Sequence, residues 1–459
     1  MTPYSDVSYW LESSGDLAPR PSLDGPAEAD VAILGAGFTG LWTAYELLRR
    51  DPSMRVVVLE RDIAGFGASG RNGGWCTSEL NAGILLLGER FGGDGARRVQ
   101  LAMYDTVDEV GRVIAAESID AAYQKGGMLM VARGEHQVPA IDALQADYVA
   151  AGFPDHYRRL SAEELRARLA VAGGAVALYS SECAVVHPGR LVRGLARAVE
   201  KRGGVIHERT PVTGFTTGSR PALRTLRGDV TARAVVLAGE AYLTELSGLR
   251  RRLLPVYSLV VMTEPVAEAT WAEIGWRQRE CVASMKLTID YLSRTDDGRI
   301  LMGGRGAPYN FGSAIRAQTE HHSETHAGLR RMLAEWFPVL RGVRFSHAWG
   351  GVLGVPRDII PSFNFDRRRG IALAAGYAGH GVATSNLAGR TLADLVTGRD
   401  SELTRLPLVN HHSRSWEPEP LRWLGVRAVQ RGLARVDSRA ERTGRPPTGR
   451  SLAERLSRH

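Results

Sequence analysis

The chain has 459 residues, 44% of them hydrophobic and 24% charged, and a formal net charge of +8. Residues 414–459 hold eleven arginines and five acids, so most of the excess charge lies in the tail, which argues against a nucleic-acid enzyme with a basic folded surface. No stretch approaches the ~20 apolar residues of a membrane span, and the N-terminus lacks the features of a signal peptide. Cys76, Cys183 and Cys281 have unrelated spacings that indicate neither a disulfide framework nor a zinc site. We therefore expect a soluble, cytoplasmic protein of about two or three domains without a metal site.

Residues 30–60 predict a strand, a glycine turn, a helix and a second strand. Gly35, Gly37 and Gly40 form a G-x-G-x-x-G turn. The first glycine allows the tight turn, the second lets backbone N–H groups approach a pyrophosphate, and the third lets the helix pack closely on the strand. Glu60 ends the second apolar run, where its carboxylate can accept hydrogen bonds from ribose hydroxyls. The unit therefore predicts a site for FAD or NAD.

The segment that follows, residues 61–76, is a glycine-rich loop rather than another strand and helix. It reads RDIAGFGASGRNGGWC, and such a backbone can lie flat against an extended cofactor. With this loop the sequence resembles the D-amino acid oxidase superfamily of flavoproteins, in which a G-A-S-G-R-N-G-G-like stretch runs along the pyrophosphate toward the isoalloxazine. The resemblance favours FAD over a nicotinamide cofactor.

Four further segments extend this resemblance over most of the chain. Residues 235–242 resemble the family's second strand and turn against the FAD, residues 210–215 its segment at the adenine, residues 299–305 a substrate-domain strand, and residues 376–383 its last flavin contact. The helix after that contact would begin beside the flavin pyrimidine, where its dipole stabilises the anionic reduced ring. The FAD-binding residues expected from the motif and the resemblance are Gly35, Ala36, Gly37, Phe38, Thr39, Gly40, Glu60, Arg61, Gly67, Ala68, Ser69, Arg71, Asn72, Gly73, Gly74, Val212, Ala238, Gly239, Gly376, Gly379, His380, Gly381, Val382 and Ala383.

The resemblance and the element pattern predict an α/β (α+β) fold. A Rossmann-type FAD-binding domain would interleave with a substrate domain built on a mostly antiparallel sheet, followed by a helical tail. The expected divisions are an N-terminal arm (1–25), the FAD-binding domain (26–100, 181–253 and 346–400), the substrate domain (101–180 and 254–345) and the basic tail (401–459). Outside the first unit, the predicted helices are 98–117, 135–151, 188–203 and 320–337, and the predicted strands are 127–132, 256–264, 286–294 and 299–305.

The absence of certain motifs limits the reactions that the protein could catalyse. A second G-x-G-x-x-G does not occur, so electrons should enter from a small substrate rather than from NAD(P)H. In flavoproteins of this resemblance, a C–H next to an amine nitrogen gives a hydride to flavin N5, and the imine hydrolyses to a carbonyl and ammonia or a smaller amine. We expect oxidation of a small amine, with a polyamine derivative as first choice and O2 as acceptor. The alternatives are oxidation of a D-amino acid or N-methyl amino acid, and a membrane-attached dehydrogenase that passes electrons to quinone.

Six candidate catalytic residues lie on segments expected to face the flavin: Tyr257, Lys286, Tyr291, Arg305, Trp349 and His380. Lys286 is one of three lysines in the chain, and by resemblance it would help oxygen react, unless it is a solvated strand lysine. Arg305 can bind a substrate carboxylate through two parallel hydrogen bonds or can pair with a surface acid. Trp349 and Tyr257 can form an aromatic wall around a cationic amine or belong to the core.

The sequence departs from the family pattern at two places. Ser293 stands where many relatives carry an arginine, which tilts the expected substrate away from an α-amino acid. The family's covalent cysteine lies in the C-terminal half, where no cysteine follows Cys281, so we expect FAD to be bound without a covalent link.

The tail predicts a basic amphipathic helix over residues 421–436, with Val426, Val429, Leu433 and Val436 on one face and arginines on another. This helix can dock on its own chain or a partner subunit, or it can bind an anionic membrane surface. The end of the tail is expected to be partly disordered. Because the tail follows the last predicted flavin contact, its removal should leave flavin reduction intact.

Overall fold

The computed structural model describes residues 3–457 and contains two large sheets. The first is a six-stranded, mainly parallel sheet whose edge strand Ser362–Asp366 is antiparallel to its neighbour. From that edge its strands are Ser362–Asp366, Ile371–Ala375, Ala234–Leu237, Val31–Leu34, Val56–Leu59 and Val205–His207. The central strands are almost wholly aliphatic because both faces of a parallel sheet are covered.

Helices cover one face of the parallel sheet and a small sheet covers the other. The helices on the first face include Phe38–Arg50, Pro188–Lys201 and Gly381–Thr397. Successive strand residues point to opposite faces, so Ile33 joins the core beneath the helices while Ala32 joins the core on the second face. The strands of the small sheet, in spatial order, are Ala27–Glu28, Val230–Thr231, Ala222–Thr225 and Val212–Phe215.

The second large sheet has eight strands and is antiparallel except for one pair, Cys281–Ser284 with Met128–Arg133. Its strands in spatial order are Phe345–Val355, Leu254–Thr263, Ile300–Arg305, Asp290–Arg294, Cys281–Ser284, Met128–Arg133, Gly174–Ser180 and Arg158–Leu160. Phe345–Val355 pairs with Leu254–Thr263 along its whole length. The chain therefore returns to the parallel sheet after Val355, whereas the expected boundary lay at residue 346.

The remaining elements lie at the edges of these sheets. A two-stranded ladder joins Trp75–Thr77 to Cys183–Val185. The other helices before the tail are Tyr9–Glu12, Gly83–Ala116, Val138–Ala150, Ala162–Arg168, Glu268–Ile274, Ala317–Glu320 and Ser323–Trp336. Gly83–Ala116 begins well before the predicted helix at residue 98 and is interrupted at Gly92, whose φ is +76°.

The predicted strand 286–294 forms only over Asp290–Arg294. Residues 285–289, which we name the wall loop, connect it to the strand Cys281–Ser284. Ile289 has a φ of +57°, a conformation that ends extended pairing for a β-branched residue. The sequence pattern therefore predicted a strand that begins at residue 286, but the backbone becomes extended only from Asp290.

The predicted tail helix is confirmed and runs over Leu421–Thr443. A second helix, Leu452–Ser457, returns against it where Ala453 faces Gly432. The tail helix docks on the wall loop of its own chain through Asp437. Among residues 3–457, no helix has the length and apolar character needed to cross a bilayer.

Candidate active site

A cavity of about 480 Å³, which we name the glycine cavity, opens at the carboxyl ends of the parallel strands. This is where the crevice for a dinucleotide lies in sheets of this kind. The expected FAD-binding residues that line it are Gly35, Gly37, Phe38, Thr39, Glu60, Arg61, Gly67, Ala68, Ser69, Asn72, Val212, Ala238, Gly239, Gly379, Gly381 and Val382.

Each glycine of the turn has a geometric reason. Gly35 has a φ of +100°, which a side chain rarely adopts. A Cβ at Gly40 would collide with the Gly35 carbonyl, so only glycine lets the helix approach the strand this closely. A Cβ at Gly37 would point into the cavity region at 3.0 Å from the Ser69 hydroxyl oxygen, and that hydroxyl accepts a hydrogen bond from the Phe38 N–H (2.8 Å).

Glu60 lies in the wall of the glycine cavity at the end of its strand. Its two carboxylate oxygens accept hydrogen bonds from the Ala36 N–H (2.9 Å) and the Asp62 N–H (3.0 Å). Burial raises the pKa of the Glu60 carboxyl to about 7, although these two bonds oppose the shift. Each oxygen keeps a second acceptor position for the hydroxyls of a ribose.

The glycine-rich loop is held from behind by the N-terminal arm. The Trp10 indole N–H donates to the Asn72 carbonyl (2.7 Å), and the Ser8 hydroxyl donates to the Gly70 carbonyl (2.6 Å). The Asn72 side chain in turn accepts from the Gly74 N–H (2.9 Å). The arm therefore fixes a loop that has little apolar packing of its own.

Glu240, which the sequence analysis did not select, joins three segments around the cavity. Its carboxylate accepts hydrogen bonds from the Gly354 N–H (2.7 Å), the Gly376 N–H (2.9 Å) and the Tyr377 N–H (3.2 Å). Burial raises the pKa of this carboxyl, and the three bonds lower it again in part. An acid within three residues of a strand end at this edge of the sheet is a signal that could have identified it.

The glycine cavity fits FAD. A pyrophosphate needs close backbone approach, which the missing side chain at Gly37 provides, and a ribose needs the acceptors that Glu60 provides. Cys76, Cys183 and Cys281 are all free and buried, and none of them lines this cavity.

A second cavity of about 400 Å³, which we name the arginine cavity, adjoins the first. The residues that line both are Ala68, Asn72, Leu353, Ala378, Gly379 and Val382. The helix Gly381–Thr397 begins at this junction. The residues shared by the two cavities, together with the N-terminus of this helix, would hold the flavin end of FAD.

Four of the six catalytic candidates come together in the arginine cavity: Lys286, Tyr291, Arg305 and His380. The Arg305 guanidinium donates to the Ala378 carbonyl (3.2 Å), and its side chain is exposed to the cavity while protein surrounds it elsewhere. Burial by the surrounding protein lowers the pKa of the Arg305 guanidinium. Burial, together with the nearby positive charge of Arg305, lowers the pKa of the His380 imidazole to about 4. His380 is therefore neutral near pH 7, and its Nδ1 has no hydrogen-bond partner in residues 3–457.

Glu79 also lines the arginine cavity and has no hydrogen bond or ion pair to its carboxylate among the described residues. Burial alone raises the pKa of this carboxyl to about 7. The cavity therefore combines a cation at Arg305 with an acid at Glu79, and neither has an oppositely charged partner in the part of the chain described. No motif in the sequence indicated Glu79.

Tyr291 and Arg71, which also line the arginine cavity, are paired. The Tyr291 hydroxyl bonds to the Ser258 hydroxyl (3.1 Å). The Arg71 guanidinium forms a buried ion pair with Glu320 and donates to the Phe66 carbonyl (2.8 Å). Arg71 was expected at the cofactor, and it lines only the arginine cavity.

Lys286 lies in the wall loop, and its ammonium group pairs with Glu441 of the tail helix (2.6 Å). It is thus neither a solvated lysine nor a cation without a partner. That Lys286 helps oxygen react with the reduced flavin stays a prediction.

Tyr257 and Trp349 line neither cavity. Ser258 faces the arginine cavity, so Tyr257 beside it on the strand points to the opposite face, where its hydroxyl accepts from the Arg316 N–H (2.7 Å). The buried Trp349 indole donates to the Arg71 carbonyl (2.9 Å) and packs against Trp10. Both residues are therefore part of the core and do not form an aromatic wall around a substrate amine.

The remaining expected cofactor residues do not line the glycine cavity. Ala36 and Gly376 donate their N–H groups to Glu60 and Glu240, while Gly40 supports the turn. Gly73 and His380 line the arginine cavity instead. Gly74 accepts from the Val186 N–H behind the loop, and Ala383 is buried in its helix.

Ser293 supports the same loop, because its hydroxyl donates to the Gly73 carbonyl. Its side chain lines neither cavity. Among residues 3–457, no group of three or more His, Cys, Asp or Glu side chains could hold a metal ion.

The chain is similar to proteins of a known family. Residues 30–395 match the family model DAO, FAD dependent oxidoreductase. The chain is 31% identical over 394 residues to γ-glutamylputrescine oxidoreductase of Escherichia coli strain K12, which covers 85% of this chain and 89% of that protein. It is 24% identical to the sarcosine oxidase β subunit of Rhodobacter capsulatus, over 80% of this chain and 84% of the relative. The crystal structure of glycine oxidase from Geobacillus kaustophilus superposes with a TM-score of 0.68 at 23% identity, over 84% of this chain and 99% of that one.

Proposed function

This chain belongs to the DAO family of FAD-dependent oxidoreductases, and we propose that it oxidises the C–N bond of a small amine that also carries a carboxylate. The observation that carries the proposal is the pair of charges without partners in the arginine cavity, Arg305 and Glu79, next to the junction with the glycine cavity. A substrate with both an amine and a carboxylate satisfies both charges.

The chain's own residues would hold and orient the reactants. Glu60 and the turn Gly35–Gly40 would hold the adenosine and pyrophosphate parts of FAD, and the N-terminus of Gly381–Thr397 would stabilise negative charge at the far end. Bound FAD supplies the hydride acceptor at N5. Because Cys76, Cys183 and Cys281 lie outside both cavities, we propose that the cofactor is held without a covalent bond.

Arg305 would position the substrate by binding its carboxylate. This group lies at the junction through its hydrogen bond to Ala378, so a carboxylate held there anchors the substrate beside the glycine cavity. His380 is neutral and cannot repel the amine. Glu79 would attract the cationic nitrogen of the substrate and can take up its proton, because a carboxyl with a pKa of about 7 is a suitable proton acceptor near neutral pH.

These features favour an amino-acid-derived amine of the kind named for the Escherichia coli relative, γ-glutamylputrescine, as first choice. Arg305 also favours N-methyl amino acids as a second candidate, since sarcosine has its amine and carboxylate on a single carbon. We propose O2 as the electron acceptor.

An anaerobic panel tests the proposal. Purified holoenzyme is mixed with γ-glutamylputrescine, putrescine, sarcosine, glycine and D-alanine, and bleaching of the flavin absorbance is followed. We expect the amines with a carboxylate to bleach the flavin and putrescine to be slower, with recovery of the absorbance on admitting air. Failure of every panel amine would contradict amine oxidation, and recovery only with an added quinone would contradict O2 as acceptor.

A further inference from the structure

The wall loop forms one side of the arginine cavity. Met285, Lys286, Leu287 and Ile289 all line the cavity, so a shift of this loop changes its shape directly. The loop is short and joins two neighbouring strands, and the φ of Ile289 is in the left-handed region. Such a conformation persists only where the surroundings hold it.

The tail helix supplies that support. The Asp437 carboxylate accepts hydrogen bonds from the Leu287 N–H (3.1 Å), the Thr288 N–H (2.8 Å) and the Thr288 hydroxyl (2.7 Å). Asp437 is itself buried. One turn further, Glu441 pairs with Lys286. Two backbone amides of the loop thus have their acceptor on a helix about 150 residues away in sequence.

The chain just before the tail helix is fixed to a different part of the protein. The Glu419 carboxylate accepts from the Tyr309 hydroxyl (2.9 Å) and the Gly312 N–H (3.0 Å). The Trp416 indole donates to the Val355 carbonyl (2.8 Å). The tail helix therefore spans from the segment 309–312 to the wall loop and is held at both ends.

We propose that the tail helix is a positioning element of the substrate site, and that Asp437 and Glu441 are its positioning residues. By holding the wall loop they set the width of the arginine cavity and hence the affinity for the substrate. The family match ends at residue 395, so this support is supplied by a part of the chain outside the matched region. Removal of the tail should therefore weaken substrate binding, whereas the sequence alone led us to expect flavin reduction without any loss. Its consequence for affinity rests on the proposed amine oxidation.

The test uses the full-length holoenzyme with three variants: Asp437→Ala, Glu441→Gln and, as a control on the same helix, Arg442→Gln at an exposed position. The first readout is hydrogen–deuterium exchange at Leu287 and Thr288, which does not depend on any substrate. We expect exchange to become at least about tenfold faster in Asp437→Ala, the effect of losing one charge-assisted hydrogen bond, and to stay unchanged in Arg442→Gln.

The second readout separates affinity from chemistry. With γ-glutamylputrescine as the probe, we expect the KM of Asp437→Ala to rise about tenfold while the limiting rate of flavin reduction stays within about threefold. Glu441→Gln should raise the KM less, and Glu441→Asp, which keeps the charge, should recover most of the loss. Equal exchange rates in Asp437→Ala and Arg442→Gln would overturn the inference.

The two proposals can fail separately. Faster exchange with an unchanged KM would show that the tail holds the loop without shaping the site, which also overturns the inference. Failure of wild-type reduction by every panel amine would remove the proposed function, while the exchange rates would still decide whether the tail holds the wall loop.

Discussion

The glycine cavity and the arginine cavity adjoin, but they differ in how they hold charge. In the glycine cavity, Glu60 and Glu240 each accept hydrogen bonds from backbone N–H groups, so their carboxylates are supported before any ligand arrives. In the arginine cavity, Arg305 and Glu79 have no oppositely charged partner among residues 3–457. The first cavity is thus organised by backbone shape, whereas the second depends on the charges that its ligand brings.

The largest effect should come from filling the glycine cavity. Gly37→Val places a side chain at the pyrophosphate position and against the Ser69 hydroxyl, so we expect the purified protein to be colourless. Gly425→Val is the control, because nothing lies within 4 Å of a Cβ there and the position is exposed on the tail helix, outside both cavities. The flavin content is measured by absorbance after denaturation. Normal flavin content in Gly37→Val would contradict the assignment of this cavity to FAD.

A smaller but substantial effect should follow from removing the support around the glycine cavity. Glu240→Ala leaves the N–H groups of Gly354, Gly376 and Tyr377 without their acceptor, and we expect a loss of about 3 kcal/mol in unfolding free energy with weaker FAD binding. Urea unfolding and FAD titration measure the two quantities. The control is Glu402→Ala, an exposed acid at the start of the 3-10 helix Glu402–Arg405. Equal free energies of unfolding for the two variants would show that Glu240 does not stabilise the fold.

Removing one charge from the arginine cavity should weaken the use of the substrate and leave the cofactor bound. Glu79→Gln keeps the size of the side chain and loses the negative charge, so we expect the KM for γ-glutamylputrescine to rise about tenfold with normal FAD content. Glu89→Gln, an exposed acid of the next helix, should leave the KM unchanged. A loss of flavin in Glu79→Gln would remove the distinction between the two cavities.

The same carboxyl predicts a pH dependence. Its pKa of about 7 means that Glu79 is mostly protonated and neutral at pH 6 and mostly ionised at pH 8. Because the ionised form attracts a cationic amine, the KM of the wild type should fall about fivefold from pH 6 to pH 8. This change should be absent in Glu79→Gln. A parallel pH profile in both proteins would assign the titration to another group.

The smallest effect is expected at Lys286. Since its ammonium group already pairs with Glu441, Lys286→Met should change the rate of reoxidation by O2 by no more than about threefold, with a comparable change in the KM. Stopped-flow mixing of reduced enzyme with oxygen measures this rate. A drop of about a hundredfold would instead establish Lys286 as the cation that assists oxygen.

The glycine turn and Glu60 could be proposed from the sequence because their determinants are local, whereas Arg71 lines only the arginine cavity and Glu240 was not selected. A turn such as Gly35–Gly40 and an acid such as Glu60 lie within 30 residues of each other, and their spacing alone fixes their geometry. The arginine cavity could be predicted only in part. Glu79 and the wall loop meet there through tertiary packing, and the side of a strand on which Tyr257 falls depends on a register that the sequence does not show.

The three cysteines have a practical consequence. Cys76, Cys183 and Cys281 are free thiols with no exposed surface, and burial raises the pKa of both Cys76 and Cys281 well above the usual range. A thiolate-selective reagent can therefore reach them only when the interior opens. Because Cys76 is the last residue of the glycine-rich loop, the rate of alkylation at this residue, measured by mass spectrometry, would report how often the protein opens locally around the cofactor site.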